Sequence, residues 1–130
     1  QRRLMAIFGI GTDIAEIARL EGALQRHGEA FAAKLLADDE LPAWRAAANP
    51  AAFLAKRFAA KEAFAKALGT GIRGVVSLRR IAIIHDALGR PGFRCDEQLQ
   101  AELTLRAIRN IHLSLSDERH YVVAFVVMEN

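Results

Sequence analysis

Cysteine is nearly absent from this 130-residue chain: Cys95 stands alone. No internal disulfide framework is possible, and a reduced, cytoplasmic setting is expected. Long apolar runs are missing too. None approaches the ~18 residues of a membrane span, so no membrane partner is expected. The stretch Leu4 to Ile10 follows Arg2 and Arg3, but it is short and leads straight into Asp13. It is expected to be a first strand, not a secretory leader. Because the chain opens on Gln1, an initiator methionine, or more, is expected to be missing or replaced. Repeats, low-complexity tracts and linkers are absent. The length predicts a single domain over residues 1–130 with a core of its own.

Lysine is scarce, at 4 against 14 arginines. Arginine suits bidentate contact with phosphate and carboxylate, which fits an anionic ligand or partner and equally fits a GC-rich genome. A net charge of +3 is too weak to argue nucleic acid, and none is expected as a partner. Metal-spaced histidines are lacking: His27, His85, His112 and His120 are scattered. There is no G-x-S-x-G, Cys95 has no partner for nucleophilic hydrolysis, and Gly69-Thr70-Gly71 is not a P-loop.

Elements follow from periodicity and punctuation. Leu4 to Ile10 reads as a buried strand. Asp13, with Glu16 three residues on, reads as the N-cap of a helix to about Arg26 with Ile14, Ile17, Leu20 and Leu24 as its core stripe. Glu29 to Leu36 reads as a second helix, and Asp38-Asp39-Glu40 opens a third toward Ala48. Asn49-Pro50 breaks the chain, and Ala51 to Leu68 is the strongest helix, stopped by Gly69. Ile81 to His85 is a strand, Asp86 to Gly92 a turn, and Phe93 starts a short return strand. Asp96 to Ala107 is a helix, and Ile111 to Ser116 with Tyr121 to Met128 form a terminal hairpin. Helices cluster early and strands late, which predicts an α+β fold.

The long helix carries charges on its apolar side. On a wheel advancing ~100° per residue, Arg57 and Lys61 fall within the arc of Phe53, Leu54, Phe58, Phe64 and Leu68. Glu62 and Lys66 lie at its edge, and the opposite face is mostly alanine, expected to be the outer one. Snorkelling stems or a Glu62–Lys66 i,i+4 pair account for this; so does a cleft wall facing an anion and a metal. Asp13 supplies a second carboxylate, and two carboxylates among cations suit Mg²⁺ on a polyphosphate. Arg19 and Arg26 share a face of the first helix with Ala15 and Gly22. That face is either solvated or a docking surface for an acidic helix.

Four segments carry a resemblance. Gly9-Ile10-Gly11-Thr12-Asp13 resembles the opening G-x-G-x-D of the holo-[acyl-carrier-protein] synthase family of 4′-phosphopantetheinyl transferases. Arg57 to Gly71 resembles its long signature, (W/F)-(A/S)-x-K-E-A-x-x-K-A. Gly89-Arg90-Pro91 resembles its G-(K/R)-P turn, and His112 to Ser116 its H-x-S-(I/L)-(S/T) strand. The region from Leu36 to Asn49 carries no family signal. The resemblance implies transfer of 4′-phosphopantetheine from coenzyme A to a serine of apo-acyl carrier protein, with Mg²⁺, in fatty acid biosynthesis. It implies helices packed on a largely antiparallel sheet and a homotrimer with sites at subunit interfaces.

Carried over, Asp13 and Glu62 match the metal-binding carboxylates. Arg57, Lys61 and Lys66 match cations around the coenzyme A phosphates. Gly69 and Gly71 fall in the signature block. Pro91, His112 and Ser114 match segments near the nucleotide, and Arg19 and Arg26 match the helix that docks the carrier. Lys66 is expected to neutralise developing charge, and Glu62 or a metal-ordered water to take the serine proton. A non-catalytic basic module, which would not need Glu62, and a Mg²⁺-dependent coenzyme A hydrolase, which would need a water-activating base, are the alternatives.

Overall fold

A strand that carries glycine at alternate positions can press its backbone directly onto a helix. That happens here between β1 (Ile7–Glu16) and α4 (Pro50–Leu68). The computed structural model describes residues 6–130, so Leu4 and Met5 of the expected first strand lie outside the described residues. A side chain at Gly9 would collide with the carbonyl oxygen of Ala67, and one at Gly11 with that of Ala63. The spacings match. Two strand residues advance about 6.7 Å and four helix residues about 6 Å.

β1 pairs antiparallel with β5 (Tyr121–Glu129), which pairs with β4 (Asn110–Asp117), giving the order β1-β5-β4. The chain between them forms α1 (Ile17–His27), α2 (Glu29–Leu35), a 3-10 turn at Asp38–Glu40 and α3 (Leu41–Arg45). After α4 come a 3-10 turn at Leu78–Arg80, the hairpin β2 (Ile81–His85) and β3 (Pro91–Cys95), and α5 (Glu97–Leu105). The fold is α+β, as expected. No helix of the described residues is long and apolar enough to cross a membrane.

α4 starts where the break at Asn49-Pro50 predicts. The Asn49 side chain accepts the Ala52 N–H at 3.1 Å, and the helix ends at Gly69 with φ 88°. Its alanine face is not outward. Ala51, Ala55, Ala59, Ala60, Ala63 and Ala67 are all buried, and the helix runs through the core with protein on nearly every side. Small side chains are what a close helix–sheet approach demands. Leu54, Phe64 and Leu68 fill the rest, and Phe64 meets Phe93 of the hairpin edge-on at 5.0 Å.

Asp13 is not a helix cap. Its backbone lies in β1 opposite Ala124, the strand continues to Glu16, and α1 begins only at Ile17. Pairing with β5 overrides the local capping signal, and it turns Ile14 to the far side of the sheet, 63% exposed, rather than into a helical stripe. The expected third helix divides into the 3-10 turn and the five residues of α3.

The β1–α4 contact yields a stability prediction. Gly11→Ala should destabilise the protein by about 3 kcal/mol, because neither the strand nor the helix backbone can retreat without losing the rest of the interface. A urea midpoint equal to wild type would show that the two backbones are not rigidly apposed.

Candidate active site

The Gly9 and Gly11 contacts carry β1 along α4 in the direction of the helix N-terminus, so Asp13 arrives beside the turn from Glu62 to Lys66. Helical side chains tilt toward their own N-terminus, and Lys66 therefore reaches back to the strand. Its Nζ donates to the Thr12 carbonyl at 2.9 Å and to Asp13 Oδ1 at 3.2 Å. Asp13 is largely covered, with 17% of its side chain exposed, while Lys66 keeps 53% in solvent. Glu62 sits one turn before Lys66 and is half-buried. Burial pushes its carboxyl above the usual carboxylate range, the negative charge of Asp13 adds to this, and Lys66 opposes it. The junction thus combines two repelling carboxylates and a half-exposed ammonium.

Such a pair fits Mg²⁺. The donors are hard carboxylate oxygens from two elements, and a dication would favour the charged form of Glu62 against the burial and the Asp13 repulsion that oppose it. No group of three or more metal-ligating side chains occurs among the described residues. A Mg²⁺ ion here would complete its shell with water and phosphate oxygens, its ordinary habit.

Lys61 is not where the resemblance implies. It is fully buried, and its ammonium uses all three N–H groups inside the protein. They go to Glu40 Oε1 at 2.6 Å, the Leu35 carbonyl at 2.7 Å and the Leu78 carbonyl at 3.0 Å. No donor remains for a phosphate. Burial pulls the ammonium down to about 8, against the pull of Glu40 in the other direction. Arg57 points the same way: its Nε lies 3.1 Å from Glu40 Oε2, though not aligned as a hydrogen bond, and its guanidinium covers the Phe53 ring at 4.1 Å. Arg57 is 8% exposed, and burial lowers its affinity for a proton. Both cations serve a buried carboxylate that the pattern of the sequence did not single out. Its signal was there: two cations aimed inward require an inward anion, and the run Asp38-Asp39-Glu40 offers three.

The other expected residues are dispersed. Gly69 and Gly71 adopt positive φ beyond α4, and the N–H groups of both converge on the Ala65 carbonyl. Pro91 opens β3 opposite His85. His112 and Ser114 lie on the sheet face opposite to Asp13, with His112 Nε2 2.6 Å from Glu129 Oε1. Arg19 and Arg26 are exposed on α1 and form no ion pair among the described residues. Between them Gly22 leaves room for the Arg26 guanidinium. They border a cleft floored by Leu20, Phe31, Leu35 and Phe58. Burial pushes the Cys95 thiol up to about 12, which leaves it inert as a nucleophile.

Comparison with known proteins identifies the family. Residues 9–126 match the family model described as the 4′-phosphopantetheinyl transferase superfamily. A holo-[acyl-carrier-protein] synthase of Azoarcus sp. is 58% identical over 123 residues, covering 95% of this chain and 98% of that protein. The crystal structure of the holo-[acyl-carrier-protein] synthase of Neisseria meningitidis superposes with a TM-score of 0.94 at 50% identity, over 96% of this chain and 100% of that one. The Bacillus anthracis enzyme, solved in complex with CoA (3′,5′-ADP), superposes at 0.80 with 34% identity, over 98% and 99%. With an Asp–Glu–Lys junction at its centre and a match of this extent, the chain is an enzyme that belongs to the 4′-phosphopantetheinyl transferase superfamily.

Proposed function

We propose that this chain moves the 4′-phosphopantetheine arm of coenzyme A onto a serine of apo-acyl carrier protein in fatty acid biosynthesis, in a Mg²⁺-dependent reaction in the cytoplasm. Holo-carrier and adenosine 3′,5′-bisphosphate are the products. The observation that carries this reading is the gathering of Asp13, Glu62 and Lys66 at one solvent-open junction. Asp13 and Glu62 are the residues that would hold Mg²⁺. When bound, it would supply charge neutralisation at the pyrophosphate, the main demand of phosphoryl transfer.

The chain's own groups do the rest. Lys66 is held by only two acceptors and half exposed, so its third N–H is free to meet a phosphate oxygen and stabilise charge as it develops. Glu62, or a water ordered beside it, is placed to accept the serine proton. Gly69 and Gly71 have open space where side chains would stand, which lets a ligand approach the end of α4. A hydrolase would need a water-activating base; His112, on the far face of the sheet, does not reach this junction in one chain.

The assembly proposed is a homotrimer. Its support is the outer face of the sheet, where Ile10, Ile14, Val123 and Phe125 form an exposed apolar surface. His112 and Ser114 stand on that face, so a copy covering it would bring them toward a shared nucleotide site, to which the resemblance also assigns Pro91. Arg19 and Arg26 are the residues proposed to dock the acidic carrier.

Incubated with coenzyme A, Mg²⁺ and apo-carrier, the protein should add the mass of one phosphopantetheine arm to the carrier, read by mass spectrometry. Glu62→Gln should lower kcat by ~100-fold or more with the fold intact, and Lys66→Ala should lower kcat more than it raises the coenzyme A KM. Near-normal turnover of Glu62→Gln at saturating Mg²⁺ would refute the assignment. Arg19→Glu with Arg26→Glu should raise the carrier KM by ~10-fold, about 1.4 kcal/mol. The coenzyme A KM should hold, and salt should affect the double variant less than wild type. An unchanged carrier KM and salt response would mean that these arginines only face water. Phe125→Asp should reduce the sedimenting species from a trimer of 14.3 kDa chains to the monomer; a trimer that survives the change would place the interface elsewhere.

A further inference from the structure

We infer that Glu40 is a positioning residue for the reaction: by gripping Lys61 it sets the rotation of α4 that aims Glu62 and Lys66 at Asp13. The inference rests on the reading of the Asp13–Glu62–Lys66 junction as the Mg²⁺ site.

Glu40 is 4% exposed, and its partners do not include Asp13, Glu62 or Lys66. Its carboxylate is saturated by the protein. Oε1 accepts the Ala37 N–H at 2.9 Å and the Lys61 ammonium at 2.6 Å. Oε2 accepts the Ile83 N–H at 2.9 Å and faces Arg57. Lys61 adds the carbonyls of Leu35 and Leu78. One buried anion and its cation therefore tie the end of α2, both 3-10 turns and β2 to a single turn of α4. The flanking acids do not share this work: Asp38 pairs with Arg79 and Asp39 with Arg94 at the surface.

The location decides the role. Lys61 immediately precedes Glu62, and the two side chains leave the helix ~100° apart. Fixing one fixes the direction of the other. The glycine contacts with Ala63 and Ala67 set how near α4 comes to β1, but they involve backbone only and hold no side chain of the junction. The Lys61–Glu40 bond supplies a directional hold on that axis. A buried ion pair is weak as a source of stability and better suited to selecting one geometry over its neighbours. Placement errors of about 1 Å at reacting groups are enough to cost ~100-fold in rate.

The test compares Glu40→Asp, Glu40→Gln and Leu99→Ala, with Mn²⁺ as the probe. Glu40→Asp keeps the charge and retracts the carboxylate by one methylene. Leu99 is fully buried on α5, away from the junction, and its truncation serves as the control for lost stability. At a temperature where all variants are folded, Glu40→Asp should lower kcat by ~10-fold, with Glu40→Gln lower still. Mn²⁺ affinity in the presence of coenzyme A, read by electron paramagnetic resonance, should fall ~5-fold in Glu40→Asp while the coenzyme A KM moves less than ~2-fold. Leu99→Ala should melt earlier and keep wild-type kcat and Mn²⁺ affinity. Glu40→Asp with wild-type kcat and Mn²⁺ affinity overturns the inference, as does Leu99→Ala losing both in parallel. A wild-type protein that binds no Mn²⁺ overturns the metal reading of the junction and this inference with it.

Discussion

The contact of β1 with α4 is the constraint from which the rest of the structure follows. Two backbones meet where side chains would normally intervene, because Gly9 and Gly11 lie against the carbonyls of Ala67 and Ala63. That closeness is why α4 is rich in alanine and why those alanines are buried. It also sets the chemistry. A strand and a helix held at this distance, running past each other in register, bring Asp13 within reach of a lysine 53 positions away in sequence. A bulkier interface would move Asp13 away from Glu62 and Lys66 and open the junction proposed to hold Mg²⁺.

Close apposition to β1 is one constraint on α4. The second constraint lies on another side of the same helix, where Lys61 and Arg57 converge on Glu40. Their cost is real: three charged groups leave water, and burial pulls both cations toward losing their protons. The compensation is dense bonding, with every N–H of Lys61 and both oxygens of Glu40 engaged. α4 thus presents packing, anchoring and chemistry from adjacent turns, which explains why charges and apolar residues intermingle on it instead of separating into faces.

Much of this was legible in the residues. The ends of α4 follow from Asn49-Pro50 and Gly69, and the terminal hairpin from the alternating Ile111 to Ser116 and the apolar Tyr121 to Met128 joined by Asp117 to His120. The inward direction of Arg57 and Lys61 follows from the wheel. Their destination does not, because a wheel gives an angle and no partner. Glu40 stayed hidden since it lies in a segment without family signal, and beside two acids of the same character that face solvent. The alanine face was misread for a simple reason: hydropathy ranks alanine as weakly apolar, whereas its small volume is what a tight helix–sheet contact selects. Asp13 was misassigned as a cap because capping signals are local, while the partner that keeps it in a strand, Ala124, is 111 residues away. Asp13 still meets Glu62 and Lys66, since their convergence depends on which face of β1 turns to α4 and not on where α1 starts.

Alternation along β1 links the site to the outer sheet face. Gly11, Asp13 and Ala15 face α4, while Thr12 and Ile14 face away and stand beside Phe125 and Val123. One strand therefore carries a carboxylate on one side and an unpartnered apolar surface on the other. A copy of the chain packed on Ile14 and Phe125 would bear on the same backbone that holds Asp13 and receives the Lys66 ammonium at Thr12. Pleated geometry leaves little slack between successive residues, so pressure on Ile14 is felt at Asp13. In such an assembly, subunit packing and the placement of the Asp13 carboxylate are two faces of one strand, and a change on one side bears on the other.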